Sequence, residues 1–172
     1  MTVIRWLASA VATASIAGAG LASTAMLAAC SRPEQAPAVS YTLLDGRKSD
    51  LASLRGHVVL VNFWATDCAP CVAEMPAIAE TWRKFAPQGF ETLAVSMSYD
   101  APLAVARFAE SRHLPFGVVI DNTGEIAARY GDIRFTPTTV LINKRGEIVR
   151  RWIGAADMPA LQEQIAKPLA ET

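Results

Sequence analysis

The feature that most constrains the fold is the run Val58–Trp64, in which every residue except Asn62 is apolar. A short, near-continuous run of β-branched and aromatic residues is typical of a strand that is buried on both faces of a sheet. The following segment, Ala69–Phe85, is predicted to be a helix because its apolar residues recur at steps of three and four. A buried strand that leads directly into an amphipathic helix predicts an α/β fold.

The rest of the chain continues this alternation of strands and helices. The patterns predict strands at Tyr41–Leu44, Thr92–Met97 and Phe116–Ile120, a helix with Asp100 as its cap and Pro102 in its first turn, a short helix at Glu125–Tyr130, a hairpin of Thr139–Ile142 with Ile148–Ile153, and a last helix at Met158–Ala166 with Asp157 as its cap. These elements together predict a central mixed β-sheet with helices on both faces.

The first 29 residues contain one cation, Arg5, and no acid, and they are mostly small or apolar. This composition is typical of an export signal, which we exclude from the fold. Residues 27–30, Leu-Ala-Ala-Cys, resemble the lipobox of bacterial lipoproteins, which predicts a lipid-attached Cys30 followed by a linker to residue 39 and a folded domain over residues 40–172. An uncleaved membrane anchor and full secretion are the alternatives. Each places the domain outside the cytoplasm.

The charge balance argues against nucleic-acid binding. The full chain has 16 Lys and Arg residues and 16 Asp and Glu residues. Removing residues 1–29 takes away only Arg5, so 15 cations face 16 anions in the remainder. Nucleic-acid binding is usually accompanied by a strongly basic domain or stripe, which this chain lacks.

The chain has three cysteines, and two of them, Cys68 and Cys71, stand three residues apart at the predicted start of a helix. That spacing brings the two Cα atoms within the range that a disulfide requires. A thiolate is favoured at a helix N-terminus, so Cys68 is predicted to attack and Cys71 to resolve the mixed disulfide. A zinc half-site or an inert structural disulfide are the alternatives, and we predict no metal, because zinc usually needs further ligands.

Two stretches carry a family resemblance. Residues 58–76, VVLVNFWATDCAPCVAEMP, resemble the active-site region of the TlpA/ResA branch of the thioredoxin superfamily. Residues 135–139, FTPTT, resemble the cis-proline loop of that superfamily. The resemblance implies a thioredoxin-like fold with an inserted strand and helix between Met97 and Tyr130. It also implies that Thr136 and Pro137 form a cis bond and bind an extended substrate segment beside Cys68.

Two acids near the cysteines are predicted to act on them, Glu74 by the resemblance and Asp67 by its charge at a departure from the family pattern. Glu74 matches the acidic residue of the ResA-like branch and would accept or return the proton of Cys71, although a solvated helix glutamate is the simpler alternative. Asp67 stands in place of the usual Trp before the first Cys, where its charge would raise the pKa of Cys68 and favour a reductant over a strong oxidant. Asn62 replaces the buried Asp of ordinary thioredoxins.

The function that follows is an extracytoplasmic thiol–disulfide oxidoreductase without a cofactor, which reduces disulfides in periplasmic client proteins and is regenerated by a membrane electron donor. Cytochrome c biogenesis is one setting that the resemblance suggests, although Arg134, Phe135 and Thr138 depart from the loop of the dedicated branch. The alternatives are a peroxiredoxin-like peroxidase and a Cu(I)-binding metallochaperone that uses the two thiolates.

Overall fold

A computed structural model describes residues 33–171 of the chain. Within this range there are seven strands, four α-helices and two short 3-10 helices. The strands are β1 (Ser40–Thr42), β2 (Lys48–Asp50), β3 (Val58–Trp64), β4 (Phe90–Ser96), β5 (Gly117–Ile120), β6 (Thr138–Ile142) and β7 (Ile148–Ile153). The helices are α1 (Ala69–Phe85), α2 (Pro102–Ser111), α3 (Glu125–Arg129) and α4 (Met158–Ala170).

Five of the strands form one mixed sheet in the order β5-β4-β3-β6-β7, with β3 at its centre. Strand β3 runs parallel to β4 and antiparallel to β6. β1 and β2 form a separate antiparallel hairpin. The predicted mixed sheet is confirmed, and the strand with the most continuous apolar sequence occupies the most buried place in it.

Alternate residues of β3 point to opposite faces of the sheet and pack into two separate hydrophobic cores. Val58, Leu60 and Trp64 pack on the face covered by α1, α2 and α4. Val59, Val61 and Phe63 pack on the face covered by α3 and the β1–β2 hairpin. The prediction of helices on both faces is therefore confirmed. Asn62 falls on the α1 side because side chains alternate along a strand.

The segment before β1 does not match the prediction of a free linker. Backbone hydrogen bonds join Ile148 N to Glu34 O and Ala36 N to Gly146 O. Val39, at the end of the same segment, is buried. Residues 34–39 therefore lie against the folded domain, and the prediction of a linker that extends to residue 39 is wrong for them. The prolines in this segment led to the linker prediction. Its backbone hydrogen bonds to residues 146–148 could not be predicted, because those residues are far away in sequence.

The predicted cap of the second helix is also wrong. Helix α2 begins at Pro102 with Ala101 as its capping residue, and no side chain caps it. Asp100 is buried and bonds to the turn before Cys68 instead. Asp157 does occupy the capping position of α4, but its side chain makes no capping bond, and α4 continues beyond the predicted Ala166 to Ala170.

In residues 33–171 no helix is both long and apolar enough to cross a membrane. The predicted signal segment, the lipobox and Cys30 lie outside the described residues.

Candidate active site

Cys68 lies at the end of the turn that connects β3 to α1, and Cys71 lies in the first turn of α1. Their sulfurs form a disulfide, with the Cα atoms 5.2 Å apart. Cys68 is the capping residue of α1, and its Sγ accepts a hydrogen bond from Cys71 N at 3.3 Å. Cys71 is fully buried, whereas Cys68 keeps part of its surface exposed. The sulfur of Cys68 is therefore the accessible one of the pair, and that of Cys71 is shielded from solvent.

The start of this turn is held by the apolar core. Trp64, the last residue of β3, is fully buried and packs on Phe108 of α2 with ring centroids 5.0 Å apart. Met97 N donates to Trp64 O and so extends the pairing of β3 with the chain after β4. The turn that carries Cys68 therefore begins from a fixed point.

The proline loop comes to the same end of the sheet. The Thr136–Pro137 peptide bond is cis, as the resemblance predicted. Thr138, the next residue, lies opposite Phe63 in the β3–β6 register, which places the loop beside the turn that follows β3. Pro137 O accepts from Gly154 N at 2.8 Å, and Phe135 is 68% exposed. That Thr136 and Pro137 bind substrate remains a prediction.

Glu74 is buried on the sheet side of α1, with 7% of its surface exposed. Its Oε1 accepts a hydrogen bond of 3.0 Å from Asn62 Nδ2, and the same amide donates to Thr139 Oγ1 at 2.9 Å. The alternative of a solvated helix glutamate does not fit this position. One turn of helix separates Glu74 from Cys71, so both lie on the same side of α1.

Burial raises the pKa of Glu74 above its ordinary value, and the Asn62 amide and the backbone of Ala156 act in the opposite direction. Glu74 Oε2 and Asn62 Oδ1 are buried and have no hydrogen-bond partner among the described residues. Both atoms are acceptors. A proton on Glu74 would turn one of them into a donor, which makes the carboxyl group suited to hold and release a proton.

Asp67 lies beside Cys68 in the turn, and its side chain is exposed. Water and salt screen an exposed charge, which reduces its effect on the neighbouring sulfur. Its role in redox tuning remains a prediction, and we expect it to raise the pKa of Cys68 by only about half a unit.

Two residues of this region were missed from the sequence. Thr139 accepts a hydrogen bond from the Asn62 amide and so fixes its orientation. Only knowledge of the antiparallel register, which places Asn62 opposite Thr139, would have predicted this contact. Asp100 bonds to Thr66, which lies two residues before Cys68. In residues 33–171 no three His, Cys, Asp or Glu side chains lie close enough to form a metal site.

Comparison with known proteins agrees with this geometry. The profile of the family described as Redoxin matches residues 33–166. The thiol-disulfide oxidoreductase ResA of Bacillus thuringiensis subsp. konkukian is 38% identical over 93 residues, which are 54% of this chain and 53% of that protein. The chain therefore spans about half the length of the curated relatives it matches.

Two solved structures cover more of the chain. A provisionally named thioredoxin from Neisseria meningitidis is 33% identical, with a TM-score of 0.75 over 82% of this chain and 93% of that one. A provisionally named thiol:disulfide interchange protein DsbE from Chlorobium tepidum is 29% identical, with a TM-score of 0.74 over 81% of this chain and 98% of that one.

Proposed function

This chain belongs to the Redoxin family, as a TlpA/ResA-like member of the thioredoxin superfamily, and from this premise we propose that it is a protein-disulfide oxidoreductase that reduces client proteins outside the cytoplasm. The observation that carries the proposal is the unequal exposure of the Cys68–Cys71 pair. A partly exposed sulfur at a helix N-terminus and a buried sulfur one turn later suit a nucleophile and a resolving thiol.

The reaction runs in two exchanges. The Cys68 thiolate attacks one sulfur of the client disulfide, a mixed disulfide forms, and the first client thiolate leaves. The Cys71 thiolate then attacks Cys68 Sγ, which releases the second client thiolate and forms the Cys68–Cys71 disulfide. Two electrons and two protons pass to the client. An external dithiol must return two electrons and two protons before the next cycle.

Glu74 supplies the proton acceptor for the second exchange. Cys71 has to lose its proton in a site that is closed to water, and Glu74 is the titratable group one turn away on the same side of the helix. The raised pKa of Glu74 brings its affinity for the proton closer to that of a thiol than an exposed glutamate allows. Glu74 then passes this proton to the departing client thiolate or to solvent, and it delivers a proton from the external dithiol to Cys71 when the pair is regenerated.

The location and partners of the protein are part of the proposal. The apolar first segment and the lipobox-like residues before Cys30 support lipid attachment at the outer face of a bacterial membrane, with an uncleaved anchor as the alternative. A membrane electron donor supplies the reducing equivalents. Cytochrome c precursors are one class of client, as implied by the resemblance of residues 58–76 to the TlpA/ResA branch.

The test is a trapping experiment on the full chain. Reduced Cys71→Ser protein is mixed with a disulfide-bonded model client and separated without reducing agent. We expect a stable mixed disulfide on Cys68, because no resolving thiol remains. The matched Cys68→Ser variant should trap no client, since its only redox thiol is buried. Equal trapping by both variants would contradict the assigned roles.

The two other functions give different outcomes in the same preparation. Rapid consumption of hydrogen peroxide by the reduced wild-type chain, without reduction of the client, would indicate a peroxidase. Stoichiometric, tight Cu(I) binding without disulfide reduction would indicate a metallochaperone.

A further inference from the structure

The carboxylate of Asp100 is held by three hydrogen bonds from uncharged donors. Thr66 donates twice, from its backbone N to Oδ2 at 2.7 Å and from its Oγ1 to Oδ1 at 2.5 Å. Ser96 Oγ adds a third bond to Oδ2 at 3.2 Å. Asp100 is 8% exposed, and in residues 33–171 no ion pair includes it.

These bonds serve the turn before Cys68 and not the helix after Asp100. Helix α2 begins two residues later, and no side chain caps it. Both donors of Thr66 point at the two oxygens of one carboxylate, a paired arrangement that a single-acceptor side chain does not reproduce. The acid therefore fixes the position of Thr66.

Thr66 lies midway between two other fixed points. On one side Trp64 O accepts from Met97 N at 3.0 Å, which holds the end of β3. On the other side Cys68 N donates to Ala65 O at 3.2 Å, and Cys68 Sγ accepts from Cys71 N. Because only Asp67 separates Thr66 from Cys68, movement of Thr66 shifts the sulfur relative to the helix end.

We propose that Asp100 is a positioning residue for Cys68, whose carboxylate holds Thr66 so that the sulfur stays at the N-terminus of α1. The N–H groups and the dipole there stabilise the thiolate, which is the attacking form. Loss of the hold lets the sulfur move away from those groups and leaves less thiolate at a given pH. The inference rests on the proposed redox function.

The experiment measures the pH dependence of Cys68 alkylation in the reduced full chain, with the modified residue identified by peptide mass. Thr66→Val keeps the carboxylate and removes the hydroxyl donor, Thr66→Ser keeps both donors, and Asp100→Asn removes one acceptor and the charge. We expect the midpoint to rise by about 0.5–1 pH unit in Thr66→Val and in Asp100→Asn. Below the midpoint, alkylation then slows about threefold to tenfold, whereas Thr66→Ser stays close to wild type.

Asp121→Asn is the matched control for loss of a buried carboxylate. Asp121 is 3% exposed and accepts from the backbone N–H groups of Ile126 and Ala127 in α3. This variant should lower the melting temperature and leave the alkylation midpoint of Cys68 unchanged.

Two results would overturn the positioning role. An unchanged midpoint in Thr66→Val, with a lowered melting temperature, would mean that the contact only stabilises the fold. A lower alkylation midpoint in Asp100→Asn, together with an unchanged midpoint in Thr66→Val, would mean that the acid acts on Cys68 through its charge alone. Failure of the proposed function is separate, since it appears as a wild-type chain that reduces no protein disulfide whatever the midpoints are.

Discussion

Two buried acids flank the redox pair, and they differ in how well their oxygens are satisfied. Asp100, beside the turn before Cys68, accepts three hydrogen bonds. Glu74, one turn of helix after Cys71, accepts one from Asn62, and its Oε2 has no partner among the described residues. Burial raises the pKa of Glu74, because desolvation of a poorly bonded carboxyl group favours its protonated form.

The difference teaches which acid holds structure and which moves a proton. The three hydrogen bonds of Asp100 hold Thr66 and Ser96 and fix the chain around the carboxylate. Glu74 Oε2 has no hydrogen-bond partner among the described residues, so a proton taken up there would let this oxygen donate. Neighbouring carboxyl groups on one fold can therefore take different roles from their surroundings alone.

The largest effect should come from deleting the well-bonded acid. Asp100→Ala leaves the two Thr66 donors and the Ser96 hydroxyl without their acceptor, and an unsatisfied buried donor costs about 1–3 kcal/mol. We expect the free energy of unfolding in urea to fall by about 3 kcal/mol or more. Glu74→Gln, as the comparison variant, should change it by less than about 1 kcal/mol, since the glutamate has only one such bond. Equal losses in both variants would erase the distinction.

A second substitution, at Asn62, removes the hydrogen-bond donor to Glu74 and should destabilise the fold. Asn62→Asp replaces the one side-chain donor that Glu74 has within residues 33–171 with another acid, so two carboxyl groups share a buried site. We expect a loss of about 2–3 kcal/mol in unfolding free energy at neutral pH, with recovery on acidification as one group takes up a proton. Asn62→Ala serves as the control, because it removes the donor without adding a second carboxyl group, so its loss should depend less on pH than that of Asn62→Asp. A pH-independent loss in Asn62→Asp would contradict a proton-accepting site.

The wild-type chain should show a smaller pH effect of the same origin. The pKa of Glu74 is raised in the folded protein above the ordinary value of 4.5, so the folded state binds the proton more tightly than the unfolded state does. The contribution of Glu74 to stability is therefore largest below pH 4.5 and is lost as the pH rises through the folded pKa. Unfolding curves from pH 4 to 7 should show this decline in wild type, and a flatter profile in Glu74→Gln. Identical profiles would remove Glu74 as the cause.

The smallest effect is expected at the exposed acid. Asp67→Asn removes a charge beside Cys68 that water screens, and we expect the thiolate pKa of Cys68 to fall by about half a unit. Absorbance of the thiolate during a pH titration measures this, and the fall should shrink further in high salt. A fall of two units would mean that Asp67 affects the pKa of Cys68 more strongly than either buried acid does.

Local pattern was enough to predict the scaffold of the site. The apolar run of β3 and the spacing along α1 predicted those elements with the bounds that the structure has. The cis bond at Pro137 came from the resemblance of its loop, not from the residues alone. These features depend on residues that are close together in sequence or on a short motif.

The contacts that distinguish the two acids depend on residues far apart in sequence. Asp100 preceded Pro102 and was predicted to be a helix cap, because the sequence contained nothing to show that Thr66 would reach it across the sheet. Glu74 was left open between a solvated residue and a proton acceptor until its burial against Asn62 and Thr139 was known. The position of each polar partner follows from strand order, which local pattern does not give.

The most direct test of the redox account is the reduction potential of the Cys68–Cys71 pair in the full chain, equilibrated in dithiothreitol or glutathione buffers. A modest stabilisation of the Cys68 thiolate, with an acid beside it, predicts a potential near the roughly −270 mV of thioredoxin, as expected of a reductant. A potential near about −120 mV, that of a strong oxidant, would contradict the account, because it would mean that the protein makes disulfides in its clients.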